Sequence, residues 1–143
     1  ALRFGDSFKY EMHIDPRVDT SYMRIPPLVL QPYIENALWH GLLHKEGLRT
    51  LKINVNYIDE ESCVVEVRDN GIGRRASELL NQNRTYKRKS LGQKLVQERI
   101  HLNRELYNRD IKIEINDLYD VDEAIGTQVN IFIHPVEELE KTL

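Results

Sequence analysis

Five stretches of the chain alternate apolar and polar residues with a period of two. In the first, Phe8, Tyr10, Met12 and Ile14 are separated by charged or polar residues, and Asp15-Pro16 closes the run. Successive side chains of a strand point to opposite faces, so this alternation predicts a half-buried strand. Leu51, Ile53, Val55 and Tyr57 repeat the pattern, a polar turn follows from Asp59 to Ser62, and Cys63, Val65 and Val67 resume it. That arrangement predicts an antiparallel hairpin. Ile111-Ile113-Ile115 and Val129-Ile131-Ile133 predict two last strands, separated by an acidic turn region from Asp117 to Gly126.

Between the strands the period changes. After Arg24-Ile25-Pro26-Pro27, an extended lead-in, Ile34, Ala37, Leu38, Gly41 and Leu42 share one broad arc of a helical wheel and predict a core-facing helix. Pro32 removes one of its hydrogen bonds, so the helix is expected to bend or start late. Residues 74–80 suit a short helix, and 81–89 show no apolar period, which predicts a mobile loop. From 91 to 107, Leu91, Leu95, Leu102 and Leu106 fall in one narrow arc with Val96 and Ile100 beside them, an amphipathic helix whose start carries the capping pair Ser90 and Gln93. Arg99 falls inside the leucine arc and is expected to pair with a carboxylate. The charged tail from Glu137 is expected to fray. The element order predicts an α+β fold, a two-layer sandwich with helices on one face of a mixed, mostly antiparallel sheet.

Composition narrows the class. The chain has 143 residues, 41% hydrophobic and 30% charged, enough for one core, so residues 1–143 are expected to form a single domain. Cys63 is the only cysteine and can form no internal disulfide, and no apolar run is long enough for a signal peptide or a membrane span. A net charge of -3 with interspersed signs does not suit nucleic acid, the one concentrated basic run being Lys87-Arg88-Lys89. The chain begins at Ala1 and passes directly into strand-like residues, as a piece cut from a longer protein would.

Three stretches carry chemistry. In LVLQPYIENALWHG, residues 28–41, Asn36 and His40 lie i and i+4 on the side opposite the apolar arc, with Glu35 a quarter-turn away. Such a helix edge suits a hydrated cation and phosphate oxygens, since Mg²⁺ prefers oxygen ligands; a solvated helix face is the plain alternative. In Val67-Arg68-Asp69-Asn70-Gly71-Ile72-Gly73, Asp69 continues the alternation of Val65 and Val67 and so points to the core side, where a carboxylate needs donors. An amino-bearing base such as adenine could supply one, and the glycines let the backbone approach a ligand; a plain strand-closing turn is the alternative. Third, the basic loop runs into the capped start at Ser90-Leu91-Gly92, where free amides and the helix dipole suit anions; a capped helix after a charged, solvated loop is the alternative.

Taken in order, "QPYIENALWHG" resembles the N box, "DNGIG" the first glycine box, "SLGQKLVQERI" a reduced second glycine box and "GTQVNIFI" the closing Gly-Thr strand of the GHKL ATP-binding superfamily. "LRFGDSFKYEMHID" and "IPPLVLQPYIENALWHG" are most similar to LytS-like sensor histidine kinases. The resemblance spans nearly the whole chain and implies a Bergerat fold, with ATP between helices and sheet and a lid over the phosphates. It implies that Asn36 ligates Mg²⁺, that Asp69 accepts from the adenine amino group, and that Gly71 and Gly73 make room for the nucleotide. Gly92 would sit at the phosphates, Thr127 near Asp69 on the pocket floor, and Glu35 and His40 at the phosphate end in catalytic roles; Lys87, Arg88 and Lys89 would belong to the lid.

The expected function is the ATP-binding catalytic domain of a two-component sensor kinase. It would pass the γ-phosphoryl to a histidine on an upstream dimerisation domain, from which it goes to a response regulator. The acceptor is expected outside this chain, because His13, His44, His101 and His134 read as surface or packing residues. The fragment is expected to be monomeric and cytoplasmic, and its parent a homodimer anchored in the bacterial inner membrane. GHKL hydrolases place a general-base Glu one helical turn before the N-box Asn, where this chain has Pro32. A regulatory module of the same fold, working through protein contacts, remains the other reading, because Gly92 alone represents the second glycine box.

Overall fold

The computed structural model describes residues 8–19, 27–42, 45, 47–73 and 82–136, the side chains of 27–29, 39–41 and 82–93 excepted. Strand β1 (Phe8–Ile14) is followed by helix α1 (Pro27–Asn36), which widens into a π-helical stretch at Ala37–Leu42. Strands β2 (Arg49–Asp59) and β3 (Ser62–Asp69) form the hairpin, α2 (Gln82–Tyr107) crosses back, and β4 (Arg109–Asp120) with β5 (Glu123–Pro135) completes the fold. The strands make one sheet in the order β1-β2-β3-β5-β4. The β1–β2 pair is parallel and the others are antiparallel, the mixed, mostly antiparallel sheet that the element order predicts.

Register explains the core. Leu51, Ile53 and Val55 of β2 stand opposite Asp69, Val67 and Val65 of β3, which in turn face Thr127, Val129 and Ile131 of β5. All nine are buried on one face of the sheet. Ala37 and Leu42 from the π-helical stretch and Val96 from α2 close over them. Fully burying an aliphatic side chain of this size contributes about 1.5–3 kcal/mol, so these rows carry most of the apolar stabilisation. At the far end of α2, Asn108 takes a left-handed φ of 56°, donates to the Arg104 carbonyl at 3.2 Å, and accepts from Val136 at 3.1 Å. Asparagine tolerates this conformation, which ends the helix and turns the chain into β4.

Several expectations change. Tyr10, Met12 and Ile14 of β1 share the face of Leu51, Ile53 and Val55 but remain 53%, 48% and 43% exposed on β1, an edge strand. Residues 82–90 are helical rather than a loop, so α2 begins at Gln82 and Ser90 lies in its interior instead of capping it. The stretch from 82 to 91 contains no Gly or Pro and includes Gln, Arg and Lys, whose straight side chains lose little freedom in a helix. The face of α2 also differs. Leu95, Leu102 and Leu106 are exposed, while Val96 and Ile100 pack on the core, so the helix is rolled away from its leucine arc. Arg99 is half-buried, and no ion pair holds its guanidinium among the described residues; partial access to water removes the need for a carboxylate.

The acidic region from Asp117 to Gly126 is mostly strand, with a tight turn at Val121-Asp122. Pro32 is accommodated inside α1, which starts at Pro27 and not late. His13 and His101 are exposed beside Glu11 and Glu105, and His134 is half-buried with Nδ1 2.9 Å from the Pro135 carbonyl oxygen. The short helix at 74–80, His44 and the tail from Glu137 lie outside the described residues.

Candidate functional site

The end of β3 delivers a carboxylate to the core face. Asp69 is 5% exposed and continues the inward row of Val65 and Val67, as the alternation requires. Its Oδ1 accepts from the Gly71 backbone amide at 2.8 Å, the turn expected of an Asp-Asn-Gly sequence. Burial pushes the Asp69 carboxyl up to about 6, against hydrogen bonds from the backbone of Gly71 and Thr127 that act to lower it. Desolvation therefore outweighs two backbone donors, and a further donor brought by a ligand would favour the ionised form.

Around this carboxylate the chain comes close. Thr127 on β5 is the register partner of Asp69 and is itself buried. Gly71 and Gly73 are buried, and Gly73 holds a left-handed φ of 87°. A Cβ there would lie 3.1 Å from that of Ala124, so the glycine turn packs directly on the β5 arm. Gly126, the glycine of the closing Gly-Thr strand, has a role the sequence did not assign it, because it determines this packing. At its φ of 146° a Cβ would collide with the Asp69 carbonyl oxygen and lie 3.0 Å from the Asn70 Cα. The available signal was an isolated glycine inside an apolar strand pattern, which marks close backbone approach.

Asn70 is a residue that the pattern did not single out. Its Oδ1 accepts from the Thr50 amide at 2.8 Å, its Nδ2 donates to the Leu48 carbonyl at 2.9 Å, and its own amide donates to the Thr50 carbonyl at 3.3 Å. Next to Thr50, Arg49 Nε donates to the Leu42 carbonyl at 2.9 Å, at the end of the π-helical stretch. Asn36, the last residue of α1, is exposed, as is Glu35, whose Oε1 accepts from Gln31 Nε2 at 2.8 Å.

The sequence-predicted residues thus divide. Asp69, Gly71, Gly73 and Thr127 are brought together at one end of the sheet. Asn36 and Glu35 lie at the helix edge, while the side chain of His40 is outside the described residues. Lys87, Arg88, Lys89 and Gly92 lie within the α2 backbone, their side chains likewise outside. Gly92 is therefore interior to a helix, and the amides around it are not the free ones of a helix start.

Comparison with known proteins agrees with this architecture. No family model matches the chain. Over 71 residues, half of the chain, it is 37% identical to the sensor protein LytS of Staphylococcus haemolyticus and 38% identical to that of Bacillus subtilis, in each case 12% of the relative's length. A longer alignment, 29% identical over 94% of the chain, links it to 44% of the Bacillus subtilis protein YwpD. The chain thus spans less than half the length of these relatives.

Among solved structures, the histidine kinase domain of the Erythrobacter litoralis EL346 blue-light activated histidine kinase superposes with a TM-score of 0.57 over 90% of the chain and 55% of that structure, at 18% identity. The mycobacterial sensor histidine kinase MprB gives 0.54 at 14% identity, over 91% of this chain and 83% of that one. The catalytic domain of the histidine kinase ThkA gives 0.52 at 12% identity, over 92% and 82%. The chain has the fold of histidine-kinase catalytic domains and resembles LytS sensor proteins in sequence over half its length.

Proposed function

We propose that this domain binds ATP and, within a sensor histidine kinase, transfers its γ-phosphoryl group to a histidine of a helical dimerisation domain outside this chain. The observation that carries the reading is Asp69, a carboxylate held in the core at the end of a strand, against the Thr127 row and above the glycine turn. Burial disfavours this carboxylate even with two backbone donors, so a further donor from a ligand would relieve its desolvation. The adenine amino group is such a donor.

In this reading Asp69 orients the base, Gly71 and Gly73 admit the ring, and Thr127 lines the floor beside the carboxylate. The phosphates run toward α1, where Asn36 presents an amide oxygen at the helix end and Glu35 and His40 belong to the same edge. A hard oxygen donor beside phosphate oxygens fits Mg²⁺, so Asn36 would hold the ion, which when bound neutralises charge on the transferring phosphoryl group. Lys87, Lys89 and Gly92 would approach the phosphates if the segment preceding residue 93 closes over them. Phosphoryl transfer is chiefly a matter of positioning and charge stabilisation, so no general base is required of this chain. Hydrolysis is disfavoured by the structure of α1, where Pro32, one turn before Asn36, supplies no group to activate water.

From the likeness to LytS we infer a homodimeric, membrane-anchored parent that signals to a response regulator. No described helix is long and apolar enough to cross a membrane. A second reading, a regulatory module that binds nucleotide weakly, is favoured by one feature, the enclosure of Gly92 within α2. Calorimetric titration with a non-hydrolysable ATP analogue, with and without Mg²⁺, separates the two. Mg²⁺-dependent binding that weakens in Asp69→Asn and Asn36→Ala supports the kinase domain; no binding at millimolar nucleotide favours the regulatory module.

A further inference from the structure

The two halves of the candidate site sit on different elements, and the described hydrogen bonds trace one path between them. Asp69 ends β3, and the next residue, Asn70, uses both atoms of its side-chain amide. Its Oδ1 takes the Thr50 amide at 2.8 Å and its Nδ2 reaches the Leu48 carbonyl at 2.9 Å, while its backbone amide bonds to the Thr50 carbonyl at 3.3 Å. The side chain thereby extends the β2–β3 ladder one residue beyond Asp69, imitating a backbone that is already turning away. The residue it brackets, Arg49, reaches in the other direction, from Nε to the Leu42 carbonyl at 2.9 Å. Leu42 closes the π-helical stretch that directly continues α1 from Asn36. The Leu42 carbonyl also accepts from the Lys45 amide at 3.1 Å, and the guanidinium adds a second bond that ties the end of the helical stretch to the start of β2.

We propose that Asn70 is a positioning residue that, together with Arg49, couples the Asp69 turn to the helix bearing Asn36, so that adenine recognition and the Mg²⁺–phosphate end hold a common geometry. The proposal rests on the nucleotide-binding reading above. A turn-closing asparagine needs only one local bond, whereas this one satisfies the Thr50 amide of β2 and the Leu48 carbonyl just before it, on either side of the residue that anchors the π-helical continuation of α1. Wobble at either contact would let Asp69 move relative to the helix without unfolding the sheet, because the rows Leu51–Asp69 and Asp69–Thr127 are paired independently of it.

The test compares the wild type, Asn70→Ala and Arg49→Met by two measurements. The first follows the Asp69 carboxyl by ¹³C NMR against pH and needs no nucleotide. In Asn70→Ala the turn loosens and admits water, and the midpoint is expected to fall by at least about one pH unit toward the ordinary carboxylate value. In Arg49→Met it is expected to stay in place. The second measures affinity for adenosine and for the ATP analogue with and without Mg²⁺. Asn70→Ala is expected to weaken adenosine about tenfold, the loss typical of one misplaced charged hydrogen bond, and to reduce the enhancement by Mg²⁺. Arg49→Met is expected to reduce that enhancement at least about threefold while leaving adenosine unaffected.

An unmoved Asp69 midpoint in Asn70→Ala, with only a lower melting temperature, overturns the proposal, since a merely structural bond would do that. Retention of the full Mg²⁺ enhancement in Arg49→Met overturns the coupling to the helix, and that readout remains if Asn70→Ala fails to fold. If the wild type binds no nucleotide while Asn70→Ala still shifts Asp69, the nucleotide-binding reading fails and the placement of Asp69 by Asn70 stands.

Discussion

Asp69 and Asn36 would hold opposite ends of one nucleotide, and the fold treats them in contrary ways. Asp69 is 5% exposed, set in a row of paired strands, bonded to Gly71 and backed by a glycine that tolerates no side chain. Asn36 is exposed at the point where an α-helix gives way to a π-helical stretch. The carboxylate is expensive to place there, because burial strips water from its charge, which also raises its pKa, and it is held by the sheet. The amide costs little in water and is held by one helix end. The adenine end should therefore behave as a rigid part of the fold, where stability and binding oppose each other. The phosphate end should be separable from stability, because an exposed side chain at a helix end carries little of the core packing.

The strongest way to break this contrast is Gly126→Ala. Its methyl group would meet the Asp69 carbonyl oxygen at a backbone angle that suits glycine, so we expect a loss of about 3–4 kcal/mol of stability together with nucleotide binding. Urea denaturation checks it, and a loss below about 1 kcal/mol would show that the adenine end is not rigid. Next, Asp69→Asn should lower ATP affinity about 100-fold, since a charged acceptor becomes an amide that donates toward a donor. It should also remove the desolvation burden of the carboxylate, so its stability at neutral pH should match or exceed that of the wild type. A large drop in stability would mean that Asp69 is chiefly a structural acceptor.

The effect of pH sharpens the same opposition. With a folded pKa of about 6, above the ordinary carboxylate value of 3.8, the folded state binds the proton more tightly. The protonated group's stabilisation is complete below the unfolded pKa and is lost as pH rises through about 6. Wild-type stability attributable to Asp69 should therefore be greater at pH 5 than at pH 7 by about 1 kcal/mol, a difference absent from Asp69→Asn. Adenine needs the ionised acceptor, so ATP affinity should fall about tenfold over the same change in pH. Paired calorimetry and denaturation would check both signs, and parallel movement of the two would refute the assignment.

The smallest effect on the fold is expected at the other end. Asn36→Ala should leave unfolding free energy within about 0.5 kcal/mol, as exposed substitutions usually do, while abolishing the increase in ATP affinity given by Mg²⁺. Loss of stability here would join the two ends into one cooperative unit.

The reliability of the sequence reading followed how local each decision was. Strand alternation located the β2–β3 and β4–β5 ladders and turned Asp69 inward, because the side-chain period of a strand is two wherever it pairs. Helical wheels were less reliable. The leucine arc of α2 was visible, but Val96 and Ile100 face the core instead, since roll about the axis depends on the surface against which a helix lies. The start of α2 at Gln82 was hidden because its polar segment has helix propensity but no apolar period.

Residue order alone therefore carried the strand faces, the hairpin, the glycine turn and the residue types that point to a nucleotide, all features set within a few neighbouring positions. Only the folded chain decided that β1 leaves Tyr10 and Met12 exposed at an edge, that Gly126 lies against the Asp69 backbone, and that Asn70 and Arg49 join the turn to α1. The Gly126 and Asn70 contacts link positions far apart in the chain, and Arg49 reaches back seven residues to Leu42. Their energies depend on what is brought near in space, which no periodicity along the sequence records.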